Sequence, residues 1–416
     1  MFTFRSSLQE ALSNRNLMAV TLSQSLLMFA SFLWKPYWSL YIIELGGSKS
    51  VVGGLATLQA FSNLLLIFPG GILADRFGRK RVILIASLFS VAPLIIFIYS
   101  SHWATLTIGI LVSSLSALAI PAQNALIAES LPQEKRAMAF GFYTMSWYLF
   151  IVVAYPFGGY MMDSLGVVTG THLGLIFSLL VMIPIILLQW RFIKETYKPT
   201  TETVRTLTSP RAFLKQLKSA PPQLWVLFIV AVLSSFGFQV FWSFVTVYCV
   251  QVIGMNMMQW SITSVAGNLV AAVFMMPSGI LSDRAKRKPY IVASQALTSV
   301  TSLGYIASTG FPGVFVTRIL GGLGEGLGGN VFSSVGGPVW QALVIDVAPE
   351  DFRGSVLGLM GAVTGFASSP APLVGGYLYE NVSPQSPFYL SSALGALGFF
   401  LVVFAVKNPK KLNEQN

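Results

Sequence analysis

Cysteine and histidine are almost missing from this chain. Cys249 stands alone, and His102 and His172 are the two histidines. No internal disulfide, thiolate cluster or histidine-built metal centre can be assembled from them. The same scarcity leaves no Ser/His/Asp set and no paired catalytic carboxylates, so neither an enzyme nor a resident cofactor or metal is expected. Charge is also sparse: 10% of residues are Asp, Glu, Lys or Arg and 54% are hydrophobic, whereas soluble domains carry about 25% charged residues. That balance, with a mean hydropathy of +0.70, excludes an ordinary soluble domain.

Long neutral runs show where the apolar residues collect. Val82 to Ala128 is 47 residues without a formal charge, and Ser219 to Ser282 is 64. Both greatly exceed the roughly 20 residues of helix that cross a hydrocarbon core, so each holds two spans and a turn. Lipid admits only helices and closed barrels, and the alternation of barrel strands is lacking. The predicted fold is therefore an all-α membrane protein. Charges and turn residues divide it into twelve transmembrane helices: 17–43, 50–74, 82–100, 103–128, 137–162, 172–192, 225–252, 257–282, 289–308, 313–346, 354–379 and 388–406. The polar N-terminal stretch runs into a full-length apolar run at Leu17, which reads as a retained span. A polar link, 193–222, separates the halves 1–192 and 223–416, and within it Arg211 to Lys218 has the pattern of a surface helix.

The excess of 26 basic over 15 acidic residues, +11 in all, is explained by topology. With both termini cytoplasmic, 23 of the 26 basic residues fall on inner segments, leaving Lys35, Lys49 and Arg318. This is the positive-inside bias. The partner of the charge is the lipid bilayer, and nucleic acid is not expected. A monomer in a prokaryotic cell membrane is the expected setting.

The chain repeats itself. Gly71-Ile-Leu-Ala-Asp75-Arg76 returns 208 residues later as Gly279-Ile-Leu-Ser-Asp283-Arg284. Pro121, Ala125 and Glu129 return 217 later as Pro338, Ala342 and Asp346, and Gly158-Gly159-Tyr160 as Gly375-Gly376-Tyr377. The nine extra residues are placed most simply in the glycine-rich run from Gly321 to Gly329. Two parallel six-helix bundles in pseudo-symmetric relation are a transporter plan. On these residues, and on the loop Gly71 to Arg81 with its glycines Gly71 and Gly78, the sequence resembles the major facilitator superfamily of secondary transporters. The second copy departs from the pattern at Lys286, where the first has Gly78.

The loop residues have a physical reading of their own. Glycine permits close helix ends and a tight turn, Asp75 suits the positive end of a helix, and Arg79 is placed to pair with Glu129. The resemblance implies a conformational latch built from Gly71, Asp75, Arg76, Gly78, Arg79 and Glu129, echoed by Asp283, Arg284 and Asp346. A plain basic loop that only sets topology is the simpler alternative.

Arg318 and Glu325 are charged residues deep in a predicted span, seven apart and hence two turns along one face. Glu325 is the candidate for taking up and releasing a coupling proton; the alternative is a structural carboxyl beside a snorkelling Arg318. Lys35, ringed by Trp34, Tyr37 and Trp38, fits an interfacial anchor or, with Arg318, an attractor of anionic solute. The resemblance places Gln24, Gln239 and Trp242 on cavity-lining spans, where they join Lys35 and Arg318 as substrate-cavity candidates. Gly322 to Gly329 lacks the strand and soluble βαβ unit of a nucleotide loop and suits close helix packing. The function expected is secondary active transport of a small organic solute by alternating access, coupled to protons. Neutral and aromatic cavity candidates favour efflux; nutrient or organic-anion uptake, a non-transporting sensor and a lipid transporter are the alternatives.

Overall fold

The computed structural model describes residues 12–132, 136–196, 221–284, 286–328, 337–349 and 353–407. The expected surface helix at 211–218 lies outside them. The described chain is helical throughout its spans: α1 Arg15–Glu44, α2 Lys49–Phe77, α3 Arg79–Ile98, α4 Trp103–Ser130, α5 Arg136–Leu165, α6 Val167–Phe192, α7 Pro222–Val252, α8 Met257–Arg284, α9 Arg287–Ala307, α10 Phe311–Gly328, α11 Pro338–Val347, α12 Arg353–Asn381 and α13 Ser386–Ala405. Among the described residues, ten of these helices are long and apolar enough to cross a membrane. The polar α9 and the glycine-rich α10 stand near the expected spans 289–308 and 313–346, with α11 within the latter after residue 337.

Proline and glycine punctuate both halves at the repeat interval. Pro69 inside α2 and Pro277 inside α8 are 208 apart. So are Gly46 and Gly254, whose φ angles of 82° and 79° make the α1–α2 and α7–α8 turns in a conformation that side chains with a Cβ avoid. Pro36 coincides with a short 3₁₀ break, Lys35–Tyr37, in α1, and α7 ends in a π-turn at Tyr248–Val252.

The helices form two compact units. Unit 1 comprises Met1–Ser48, Leu58–Pro199 and the short segment Asn256–Ser261. Its core gathers Leu17, Val20, Ile83, Leu126 and Ile127 from α1, α3 and α4. At its far end both carboxylate oxygens of Asp163 accept hydrogen bonds from the Met257 and Met258 amides, at 2.8 and 2.9 Å. Unit 2 comprises Lys49–Thr57, Thr200–Met255 and Ile262–Asn416, with a core around Trp340, Leu227, Ile291, Leu343 and Val402. Glu380, 217 residues after Asp163, there accepts from the Ser50 amide at 2.8 Å. Both carboxylates satisfy otherwise orphaned amides at a helix start.

Burial differs widely among the helices. The most apolar windows of α1 and α7 are each 56% buried, against 17% for α2. Phe68, Ile72, Leu180 and Phe404 accordingly remain exposed, as a hydrocarbon solvent allows.

Candidate functional site

The apolar interior of unit 2 holds a buried ion pair. Arg318 Nη1 donates to Glu325 Oε1 at 2.8 Å, closing the two turns of α10 between them. Nη2 donates to Asn268 Oδ1 on α8 at 2.7 Å, and the guanidinium carbon lies 5.3 Å from the Trp242 ring centroid on α7. The Arg318 side chain is 4% exposed and that of Glu325 17%. Desolvating two charges is costly unless each is paired and hydrogen-bonded, and here the fork of Arg318 meets a carboxylate, an amide oxygen and an aromatic face. Glycine makes the arrangement possible: a Cβ on Gly267 would lie 2.6 Å from Arg318 Cγ.

The pair borders a pocket walled by α7, α9, α10 and α13. Trp242 and Phe238, stacked at 4.9 Å, form its aromatic side, and Ser234, Ser299, Thr301 and Ser391 contribute hydroxyls. Of the residues read from the sequence, the cavity candidates Arg318 and Trp242 are thus brought together with the proton-coupling candidate Glu325. Gln239 is half-buried on α7. Gln24 and Lys35 belong to unit 1: Gln24 is half-buried on α1, and exposed Lys35 puts Nζ 5.8 Å from the Trp34 ring. Asn268 was not singled out by the sequence; a neutral amide in an apolar helix carries no signal until Arg318 arrives from a segment 50 residues away.

The loop between α2 and α3 forms a second polar constellation, in unit 1. Arg79 Nη1 donates to Asp75 Oδ1 at 2.9 Å and to the Ala74 carbonyl at 3.0 Å, and Nη2 reaches Glu129 Oε1 at 3.1 Å. Asp75 itself is 72% exposed, and the amides that open α3 are satisfied by another residue, Glu195. Its two oxygens accept from Arg79 N at 2.9 Å and Lys80 N at 3.1 Å. Gly78 has φ +92°, a conformation that favours glycine, and a Cβ there would push the Glu195 carboxylate aside. Gly71 approaches Pro121, and Arg76 is exposed over Phe77. Lys80 Nζ donates to the Trp190 carbonyl at 2.7 Å.

The copy in unit 2 uses an arginine that the motif comparison passed over. Asp346 pairs with Arg287, 208 residues after Arg79, which also donates to the Ala342 carbonyl at 2.8 Å. Lys288 donates to the Val403 carbonyl at 2.6 Å, as Lys80 does to Trp190. The repeat offset was the available signal. Gly279 repeats the approach of Gly71, here to Pro338. The side chains of Asp283 and Arg284 lie outside the described residues.

The same family emerges from comparison with known proteins. The Major Facilitator Superfamily model matches residues 20–328 and 257–416, and the chain belongs to that family. An uncharacterised transporter of this type from Methanocaldococcus jannaschii is 23% identical, over 94% of this chain and 97% of its own. The quinolone resistance protein NorA of Staphylococcus aureus is 31% identical over 133 residues, 32% of each chain. Among solved structures, a nucleoside transporter (TM-score 0.76, 13% identity, 94% of this chain and 100% of that one) and a D-xylose–proton symporter (0.71, 15%, 95% and 98%) share the fold. The protein is an integral membrane transporter.

Proposed function

We propose that this transporter is a proton-coupled secondary carrier that moves a small organic solute by alternating access. Its plan is twelve spans in two six-helix bundles, 1–192 and 223–416, joined by the 193–222 link, with both termini in the cytoplasm of a prokaryotic cell. The observation that carries the coupling is the Arg318–Glu325 pair, 2.8 Å apart and set in apolar helices. An ionisable pair kept at such desolvation cost, on the wall of a cavity, has a functional rather than a stabilising rationale. Protonation of Glu325 would break its ion pair, while Asn268 and Trp242 keep Arg318 placed; that is a two-state element biased by one proton. Asp75, Arg79 and Glu129, with Asp346 and Arg287, act as the latch that sets how readily the carrier changes state.

Liposomes loaded with a pH-reporting dye test the coupling. Organic solutes that move protons through the wild type should move none through Glu325→Gln, while solute exchange at equal pH continues. Solute-dependent proton flux that persists in Glu325→Gln would remove that residue from the role. Efflux by proton exchange is a second reading, favoured by the 133-residue likeness to a quinolone resistance protein.

A further inference from the structure

The charges and walls of the unit 2 cavity narrow the class of solute. Resting on the reading of Glu325 as the coupling carboxylate, we infer that this cavity binds an organic monoanion, an aromatic or apolar body bearing one carboxylate, together with the proton.

Charge balance in a desolvated site is the argument. Arg318 is 3% exposed, and a guanidinium stays charged throughout the physiological range. The resting pair is neutral. A proton on Glu325 alone leaves an uncompensated buried cation, which is costly in an apolar interior; a monoanion arriving with the proton restores neutrality. An organic cation leaves the cavity with a net positive charge whether it meets the carboxylate or replaces the proton. Among the described residues that line the pocket, Tyr305 on α9 is the further titratable side chain and those from α7 and α13 are neutral, as is Asn268 of α8.

The geometry suits the same ligand. The Arg318 fork matches a carboxylate, and one of its two nitrogens is already turned to Glu325, the group that the incoming anion would replace. Phe238, Phe241 and Trp242 offer an apolar wall beside it. One turn beyond Ser234, whose hydroxyl accepts from Gln295 Nε2 at 2.8 Å, Ala231 and Ile291 join the apolar core around Trp340.

Calorimetry on the purified full-length carrier tests this with benzoate, indole-3-acetate and 3-phenylpropionate, each against its matched amide and amine. Titrations at about pH 5.5 and about pH 7.5, in buffers of different ionisation enthalpy, count the protons taken up. The expected result is binding of at least one carboxylate with uptake of one proton, weakening by up to about tenfold per pH unit, and no binding of its amide or amine. Glu325→Gln should bind the same carboxylate with little pH dependence and no proton uptake. Arg318→Gln should lose at least about tenfold in affinity; because that variant removes a buried partner, the Glu325→Gln result decides if it fails to fold. Three results each overturn the inference: no carboxylate binds, a carboxylate binds without proton uptake, or an amine binds and tightens as pH rises. The last, if abolished in Glu325→Gln, leaves Glu325 as the coupling group and removes only the anion. Proton flux surviving Glu325→Gln in liposomes would instead remove the coupling itself.

Discussion

Arg318 shows how one side chain holds a site together. Three helices meet on its guanidinium: α10 through Glu325, α8 through Asn268 and α7 through Trp242. Removing one member of such a pair strands the other in an apolar interior, whereas removing both does not. Arg318→Leu should therefore melt lower than the double variant Arg318→Leu/Glu325→Leu, with a coupling energy of about 0.5–3 kcal/mol in a thermal double-mutant cycle. Equal, additive losses would show that the pair is not a unit. The sequence disclosed the seven-residue spacing and hence the shared face of α10. It did not disclose that the guanidinium folds back on Glu325, because that choice depends on the acceptor and the aromatic ring supplied by other helices. Lys35 is the contrary case. Its ammonium lies 5.8 Å from the Trp34 ring, a neighbour one residue away in the chain, so this contact is local information.

Among the elements, glycine decides how close two helices come. A Cβ on Gly322 of α10 would run into the Gly267 carbonyl of α8, whereas Gly358 of α12 has nothing within 4 Å of where its Cβ would go. Gly322→Ala should lower the melting temperature by the equivalent of about 1–3 kcal/mol, the usual cost of overpacking. Gly358→Ala should be neutral or slightly stabilising, since alanine restricts the unfolded chain and favours helix. Similar effects from both would mean that the α8–α10 crossing is not held by contact. The start of α3 offers another test at this scale. Replacing Glu195 by Ala leaves the Arg79 and Lys80 amides without their carboxylate and should cost about 0.5–2 kcal/mol, as lost caps do. Amide hydrogen exchange at the start of α3 should rise with it; unchanged exchange would discount the cap. The glycines of the α2–α3 loop were legible as a turn, because a positive φ is a property of one residue. Glu195 was not, since nothing in a polar link marks which acid returns to a helix start 116 residues earlier.

For the whole molecule, the internal repeat is the organising fact. Contacts recur between the halves: Arg79–Glu129 and Arg287–Asp346, like the approaches of Gly71 to Pro121 and Gly279 to Pro338, keep the motif offsets, while Lys80 and Lys288 each donate to a carbonyl, Trp190 and Val403, outside that register. If the two loop clusters set the rate of conformational change, Arg79→Gln and Arg287→Gln should each slow solute exchange in liposomes while leaving solute affinity within about twofold, the signature of a gating residue. A matching loss of affinity would place them in binding instead. Topology is checked separately. Fluorescent fusions at either end should light the cytoplasm, and alkaline phosphatase inserted after Gly46 or Gly254 should be active outside it. The repeat does not extend to everything. The first bundle has no charged counterpart to Arg318 and Glu325 in α4, whose run from Trp103 to Ser114 is uncharged, so the proposed coupling chemistry belongs to one half of a symmetric frame.

By itself the sequence determined the membrane setting, the family, the repeat and the residues whose burial in lipid demands a reason. Those follow from composition, from the length of apolar runs and from the placement of basic residues, which act along the chain and need no partner. Tertiary structure alone decided that Glu325 faces Arg318 rather than lipid, that Asn268 and Trp242 complete the set, that Arg287 answers Asp346, and that hydroxyls and aromatics enclose one cavity beside the pair. Hydrogen bonds and charge pairs act over about 3 Å, and which groups come within that reach is settled by how helices far apart in sequence pack.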